Sequence, residues 1–132
     1  MSVIEPAATT SLDLSVLLGD WRNTNAAGGI SRIVCEPAAE GRMTVHCYGR
    51  CLREGLPHDR DWGIVDAPVF AFEFEGKEAG AFSAVYDFGF EEVRLQVNVK
   101  AGVLVVVTLN RFRDDSGRTN YFNREFFYRK PR

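Results

Sequence analysis

From Trp21 onwards, apolar and polar residues alternate in short runs separated by turn-forming residues, a pattern that predicts strands. Val93, Leu95, Val97 and Val99 interleave with Arg94, Gln96, Asn98 and Lys100, the period-two signature of a strand with one dry and one wet face. Strands are predicted around Trp21 and over 30–35, 43–51, 62–74, 81–90, 93–100, 103–113 and 121–129. Turn chemistry separates them: Asn25 to Gly29, Gly41, Glu75 to Glu78, Ala101-Gly102 and Asp114 to Gly117. The charged stretch 52–61 is the longest predicted loop. Pro68 has no N–H to give a ladder, so the fourth strand must bulge or form an edge there. Residues 11–18 predict a short N-terminal helix, with Ser11 as N-cap and Leu12 and Val16 on one face. Residues 1–10 read as a flexible arm and 11–132 as one domain. The architecture expected is all-β, an eight-stranded antiparallel up-and-down barrel with a short N-terminal helix.

Two strands break the one-dry-face rule. In 103–113, Val103, Val105 and Val107 are as apolar as Leu104 and Val106. In 121–129, Phe122, Phe126 and Tyr128 occupy one side and Tyr121 and Phe127 the other. Strands that are apolar on both faces need cover outside the barrel. One short helix cannot supply it, so a homo-oligomer, dimer or tetramer, is expected through these two strands.

Composition narrows the partners. Across 132 residues the formal net charge is −2, giving no global field for nucleic acid. The last 22 residues carry seven Lys/Arg against three Asp/Glu, read as a solvated basic face. No run approaches the roughly 18 apolar residues of a membrane span, and residues 1–10 lack the apolar core of an export signal. A cytoplasmic protein without nucleic-acid or membrane partners is expected. Three cysteines, Cys35, Cys47 and Cys51, are an odd number and read as reduced, buried thiols. With only His46 and His58 to join them, no metal site is expected, and no dinucleotide or phosphate motif calls for a cofactor.

Candidate chemistry lies on three strands. Trp62, Phe70 and Phe72 share a parity, as do Phe82, Tyr86 and Phe88, so the two strands together form an aromatic wall if both sets face inward. Asp66 shares the parity of Trp62 in an apolar stretch, where burial would raise its pKa and suit it to acid–base work. His46 and Tyr48 share a face near the barrel mouth, and Arg124 is a candidate partner for Asp66 or for a ligand. Ser31, Ser83 and Thr108 have no His/Asp partner at a recognisable elbow, so nucleophilic catalysis is not indicated.

Gly19-Asp20-Trp21 resembles the Gly-x-Trp element that opens the first strand of lipocalins, and Gly19-x-Trp21-x-Asn23 is similar to the opening strand of avidins. Val85-Tyr86-Asp87-Phe88 is loosely similar to the lipocalin Thr-Asp-Tyr region. The chain thus resembles the calycins. That resemblance implies a closed barrel and a late arginine, here Arg124 or Arg129, packed over the tryptophan. It also implies a ligand held inside. The leading expectation is binding of a small, largely apolar or aromatic metabolite, with Trp62, Phe70, Phe72, Phe82, Tyr86, Phe88, Tyr48 and Arg124 in the site. The alternatives are a cofactor-free cyclase or isomerase, with Asp66 or His46 moving a proton, and a ligand-free assembly subunit.

Overall fold

The computed structural model describes residues 11–51 and 58–131. The expected arm at 1–10 and part of the expected loop, 52–57, lie outside them. Nine strands form one antiparallel sheet. They are β1 (Gly19–Asn23), β2 (Ile30–Pro37), β3 (Met43–Cys51), β4 (His58–Asp66), β5 (Val69–Ala71), β6 (Ala79–Asp87), β7 (Glu91–Lys100), β8 (Val103–Phe112) and β9 (Tyr121–Arg129). The spatial order is β4-β3-β2-β1-β9-β8-β7-β6-β5, so the first strand pairs with the last and the sheet curls on itself.

The expected fourth strand is two strands. Pro68 interrupts the ladder; Ala67 N–H instead donates to Met43 O at 2.9 Å, and Pro68 O accepts from Ser83 N–H at 3.1 Å. The segment therefore hands over from β3 on one side to β6 on the other. β4 and β5, consecutive in the chain, are the two edges of the sheet, and the ladder stops there. The result is a curled sheet where a ring of eight hydrogen-bonded strands was expected. The expected N-terminal helix is also replaced. Leu17 and Leu18 N–H both donate to Leu14 O, giving a single turn, and Asp13 bridges to Glu78. The Asp13 carboxylate accepts from Ser15 N–H and caps this one turn, which β1 ends at Gly19, and a segment this short does not sustain a longer helix. Among the described residues no helix is long and apolar enough to cross a membrane.

The inner face is packed with Trp21, Ile33, Val45, Phe82, Leu95, Leu104 and Phe127, all at most 2% exposed. Each such side chain contributes about 1.5–3 kcal/mol by leaving water. Trp21 organises one end. Its indole N–H donates to Leu17 O at 2.9 Å, and the Arg129 guanidinium lies 4.7 Å above the ring. Arg129 also donates to Val16 O, tying the N-terminal turn to the last strand. Gly19 makes the approach possible: it sits at φ +137°, and a Cβ there would press on Arg129 Cδ at 3.2 Å. Of the two candidate arginines, Arg129 covers the tryptophan; Arg124 points outward and is exposed.

At the seam between the sheet edges, one side chain replaces the missing ladder. Tyr86 on β6 reaches across the interior; its hydroxyl accepts from Cys47 N–H at 3.1 Å and donates to Gly63 O at 2.8 Å. Tyr86→Phe leaves both backbone groups unpaired beneath the sheet, a loss of about 1–3 kcal/mol. Urea denaturation should show that loss, whereas a change under about 0.5 kcal/mol would mean the seam holds without the hydroxyl.

Candidate functional site

The register of β8 against β9 builds a site from simple alternation. Inward positions on β8 run Leu104, Val106, Thr108, Asn110, and their β9 partners are Phe127, Glu125, Asn123 and Tyr121. The interior is therefore apolar at the Trp21 end and polar at the other. Asn110 also faces Val93 across the β7 ladder, and Glu91 begins β7 just beyond. Together with Gly29, Ile30 and Trp62 these residues enclose a cavity of about 100 Å³ at the mouth of the curled sheet.

Two close approaches shape the cavity walls. Trp62 lies against the β3 backbone, where a Cβ on Gly49 would come within 2.4 Å of its Nε1. Its ring is braced edge-on by Tyr86 and Phe88, with centroids 5.4 and 5.2 Å away. The β1–β2 loop forms the opposite wall. Asn23 Nδ2 donates to Ile30 O at 2.8 Å, Asn23 Oδ1 accepts from Asn25 N–H at 2.8 Å, and Asn25 Nδ2 reaches Glu125 Oε2 at 2.9 Å. Gly28 is buried under this arrangement; a Cβ there would sit 2.6 Å from Glu125 Oε2.

Hydrogen bonds run along the polar floor in one direction. Asn110 Nδ2 donates to Thr108 Oγ1 at 3.1 Å, and Thr108 in turn donates to Asn123 Oδ1. Among the described residues this leaves Asn110 Oδ1 and Asn123 Nδ2 without protein partners, one acceptor and one donor at the cavity. Glu91 is raised from its ordinary value, first by burial and, against the pull of Arg118, by the negative charge of Asp114. Burial likewise raises Tyr121, with Glu91 and Glu125 adding to the shift.

The residues expected from the sequence distribute differently. Trp62 lines the cavity, Tyr86 and Phe88 support it, and Phe82 is buried in the core. Tyr86 cannot lend its hydroxyl to a ligand, since Cys47 and Gly63 occupy it. Phe70 and Phe72 are 53% and 54% exposed and lie outside the interior, with Phe72 laid over Gly80. Asp66 is no buried acid: it faces solvent, its side chain 65% exposed and 3.3 Å from Arg42 Nη2. The cause is a register shift opposite His46–Tyr48, where Gly63 adopts φ +87°. The bulge reverses parity, so Trp62 points in while Ile64 and Asp66 point out. His46 and Tyr48 do meet, with ring centroids 4.4 Å apart, but on the outer face. There His46 Nε2 pairs with Asp61 Oδ1 at 2.6 Å and Arg32 lies 4.9 Å over Tyr48. Asp66 and His46 are therefore not at the cavity and share no site. Arg124 is on the outer face as well.

Thr108, Asn110, Asn123, Glu125 and Glu91 were missed by the sequence reading. The signal for the first four was the parity of Leu104 and Val106 continued into Thr108 and Asn110, and that of Phe127 traced back to Glu125 and Asn123. Cys35 and Cys47 are buried free thiols, as expected, and burial pushes Cys47 up to about 12. Among the described residues no three His, Cys, Asp or Glu side chains group as a metal site.

The raised pKa of Glu91 makes a prediction about stability. A carboxyl whose folded pKa lies above its unfolded value stabilises least when ionised, so its unfavourable contribution grows as pH rises through the folded pKa. Glu91→Gln should melt at a higher temperature than the parent at about pH 7, with the gap closing by about pH 4. A lower melting temperature at neutral pH would show that the carboxylate is stabilised by partners. Comparison with protein-family models, curated proteins and solved structures gives no match to this chain.

Proposed function

We propose that this protein binds a small molecule in the mouth of a calycin-like barrel, with an apolar or aromatic part of the ligand against Trp62 and a polar head on the Asn110–Asn123 floor. The observation that carries this reading is the pair of unpartnered carboxamide atoms facing an interior cavity beside a braced indole. A purely structural core at this position would be filled by aliphatic side chains, as it is at the Trp21 end. Gly19-x-Trp21 under Arg129 supports the calycin assignment and, with Tyr86 bridging the seam, supports regarding the curled sheet as a barrel. Two buried free thiols fit a reducing compartment, and the cytoplasm is the location proposed.

We also propose a homo-oligomer, dimer or tetramer, through the outer face of β8 and β9. Register aligns Val103 with Tyr128, Val105 with Phe126 and Leu109 with Phe122, and Phe122 is 70% exposed. Side by side these form one apolar ridge crossed only by Arg124, a surface that a symmetric partner would cover with its own copy.

Native mass spectrometry of the purified protein tests the binding reading. The expected mass exceeds an integer multiple of the chain by that of a small molecule, and the excess disappears in Trp62→Ala and in Asn110→Leu. A bare mass would contradict binding of a retained ligand, and an excess unaffected by either substitution would move the site elsewhere. For assembly, Phe126→Glu should convert the protein to a monomer in light scattering behind size exclusion. A parent protein that is already monomeric at about 100 μM would contradict the interface.

A further inference from the structure

We propose a second ligand site, on the rim of the Trp21 end and outside the packed interior, that takes a compact aromatic carboxylate. A groove of about 520 Å³ lies there between the N-terminal turn, the β7–β8 hairpin and the end of β9. That volume is typical of small-molecule sites, about 300–1,000 Å³. Val16, Phe72 and Val99 are its apolar walls, and Lys100 and Arg129 are its charged groups. Among the described residues no acidic side chain lines it.

Neither positive charge is neutralised by the fold. Among the described residues, Lys100 and Arg129 take part in no salt bridge. The acids on the neighbouring elements are engaged elsewhere: Asp20 on β1 holds both Arg22 and Arg32, and the Asp13 carboxylate accepts from Ser15. Arg129 uses Nη2 on Val16 O and lays its guanidinium over Trp21, so Nε and Nη1 have no protein partner among the described residues. In a chain of net charge −2 this is a local excess of positive charge, which an anion complements.

The aromatic wall is independent of the charges. Phe72 is 54% exposed, yet its ring is held in place: it rests on Gly80, where a Cβ would come within 2.4 Å of Cδ1. A large ring fixed by its neighbour and left open to water is a ready stacking surface for an aromatic body. A carboxylate on that body meets the Lys100 ammonium and the unused N–H groups of Arg129, in charge-assisted hydrogen bonds about twice as strong as neutral ones. A cation meets two like charges there, and an aliphatic acid forgoes the stacking. The groove opens to solvent, so its ligand exchanges freely and is not retained through purification. It shares no residue with the mouth cavity, and the two sites stand or fall separately.

The test uses the full chain, labelled with ¹⁵N, and follows the backbone amides of Ala101 and Gly102 and the Nε–H of Arg129. The probes are sodium 2-naphthoate, its neutral isostere 2-naphthamide, and sodium acetate. Saturable shifts are expected with naphthoate at a concentration at least about tenfold lower than with either of the others. Lys100→Glu should remove the preference for naphthoate over the amide. Lys100→Gln, a neutral change at an exposed position, should narrow it and keeps the test sound should the charge reversal disturb the hairpin. Phe72→Ala should bring naphthoate down towards acetate. Trp62→Ala should leave all of these shifts unchanged, which separates this site from the mouth. Naphthamide binding as well as naphthoate would overturn the anion, and acetate binding as well would overturn the aromatic body. Shifts that survive both Lys100 variants and Phe72→Ala, or no saturable shift with any probe, would overturn the site and leave the mouth reading as it stands.

Discussion

The pairing of the first strand with the last, locked by Arg129 over Trp21, is the constraint on which the rest depends. It joins residues more than 100 positions apart and makes an otherwise open meander curl. Once β1 lies on β9, every strand has an inside and an outside, and parity alone decides which side chains meet. The contact also uses the indole N–H, the guanidinium and the backbone of the N-terminal turn together. That end is thereby fixed, and the polar cavity lies at the opposite end.

The opposite end differs because the inward positions change character along the same strands. β8 passes from Leu104 and Val106 to Thr108 and Asn110, and β9 makes the reverse transition from Asn123 and Glu125 to Phe127. A sheet stabilised by its apolar half can carry polar groups in the other half at some cost to stability. The raised pKa of Glu91 is where that cost is visible. Such a division between a packed end and a polar end is what the proposed binding site rests on.

Much of this was legible in the alternation. The inner faces of β6 and β7, the turns at Ala101-Gly102 and Asp114 to Gly117, and the arginine–tryptophan contact all follow from residue pattern or from the Gly-x-Trp element. Three things were not. Pro68 signalled a break, but not that its two sides would pair with different neighbours. Gly63 gave no sign of the bulge that turns Asp66 outward, since only a paired strand reveals a shifted register. The helix expected at 11–18 is cut to one turn because the Asp13 backbone pairs beside Glu78, a long-range contact that no local periodicity encodes. The polar floor was overlooked for a different reason. The aromatics that suggest a pocket lie over 62–74 and 81–90, whereas the floor is made of small polar residues whose only signal is that they share the parity of the core on β8 and β9.

The most direct test of the division between a packed end and a polar end proposed to hold a ligand is a high-resolution crystal structure of the protein as purified. Density for a small molecule between Trp62 and the amides of Asn110 and Asn123, with the Trp21 end dry and filled, is the predicted result. A collapsed mouth in which Asn110 Oδ1 is satisfied by a protein group would contradict it, and the polar residues would then be a structural network alone.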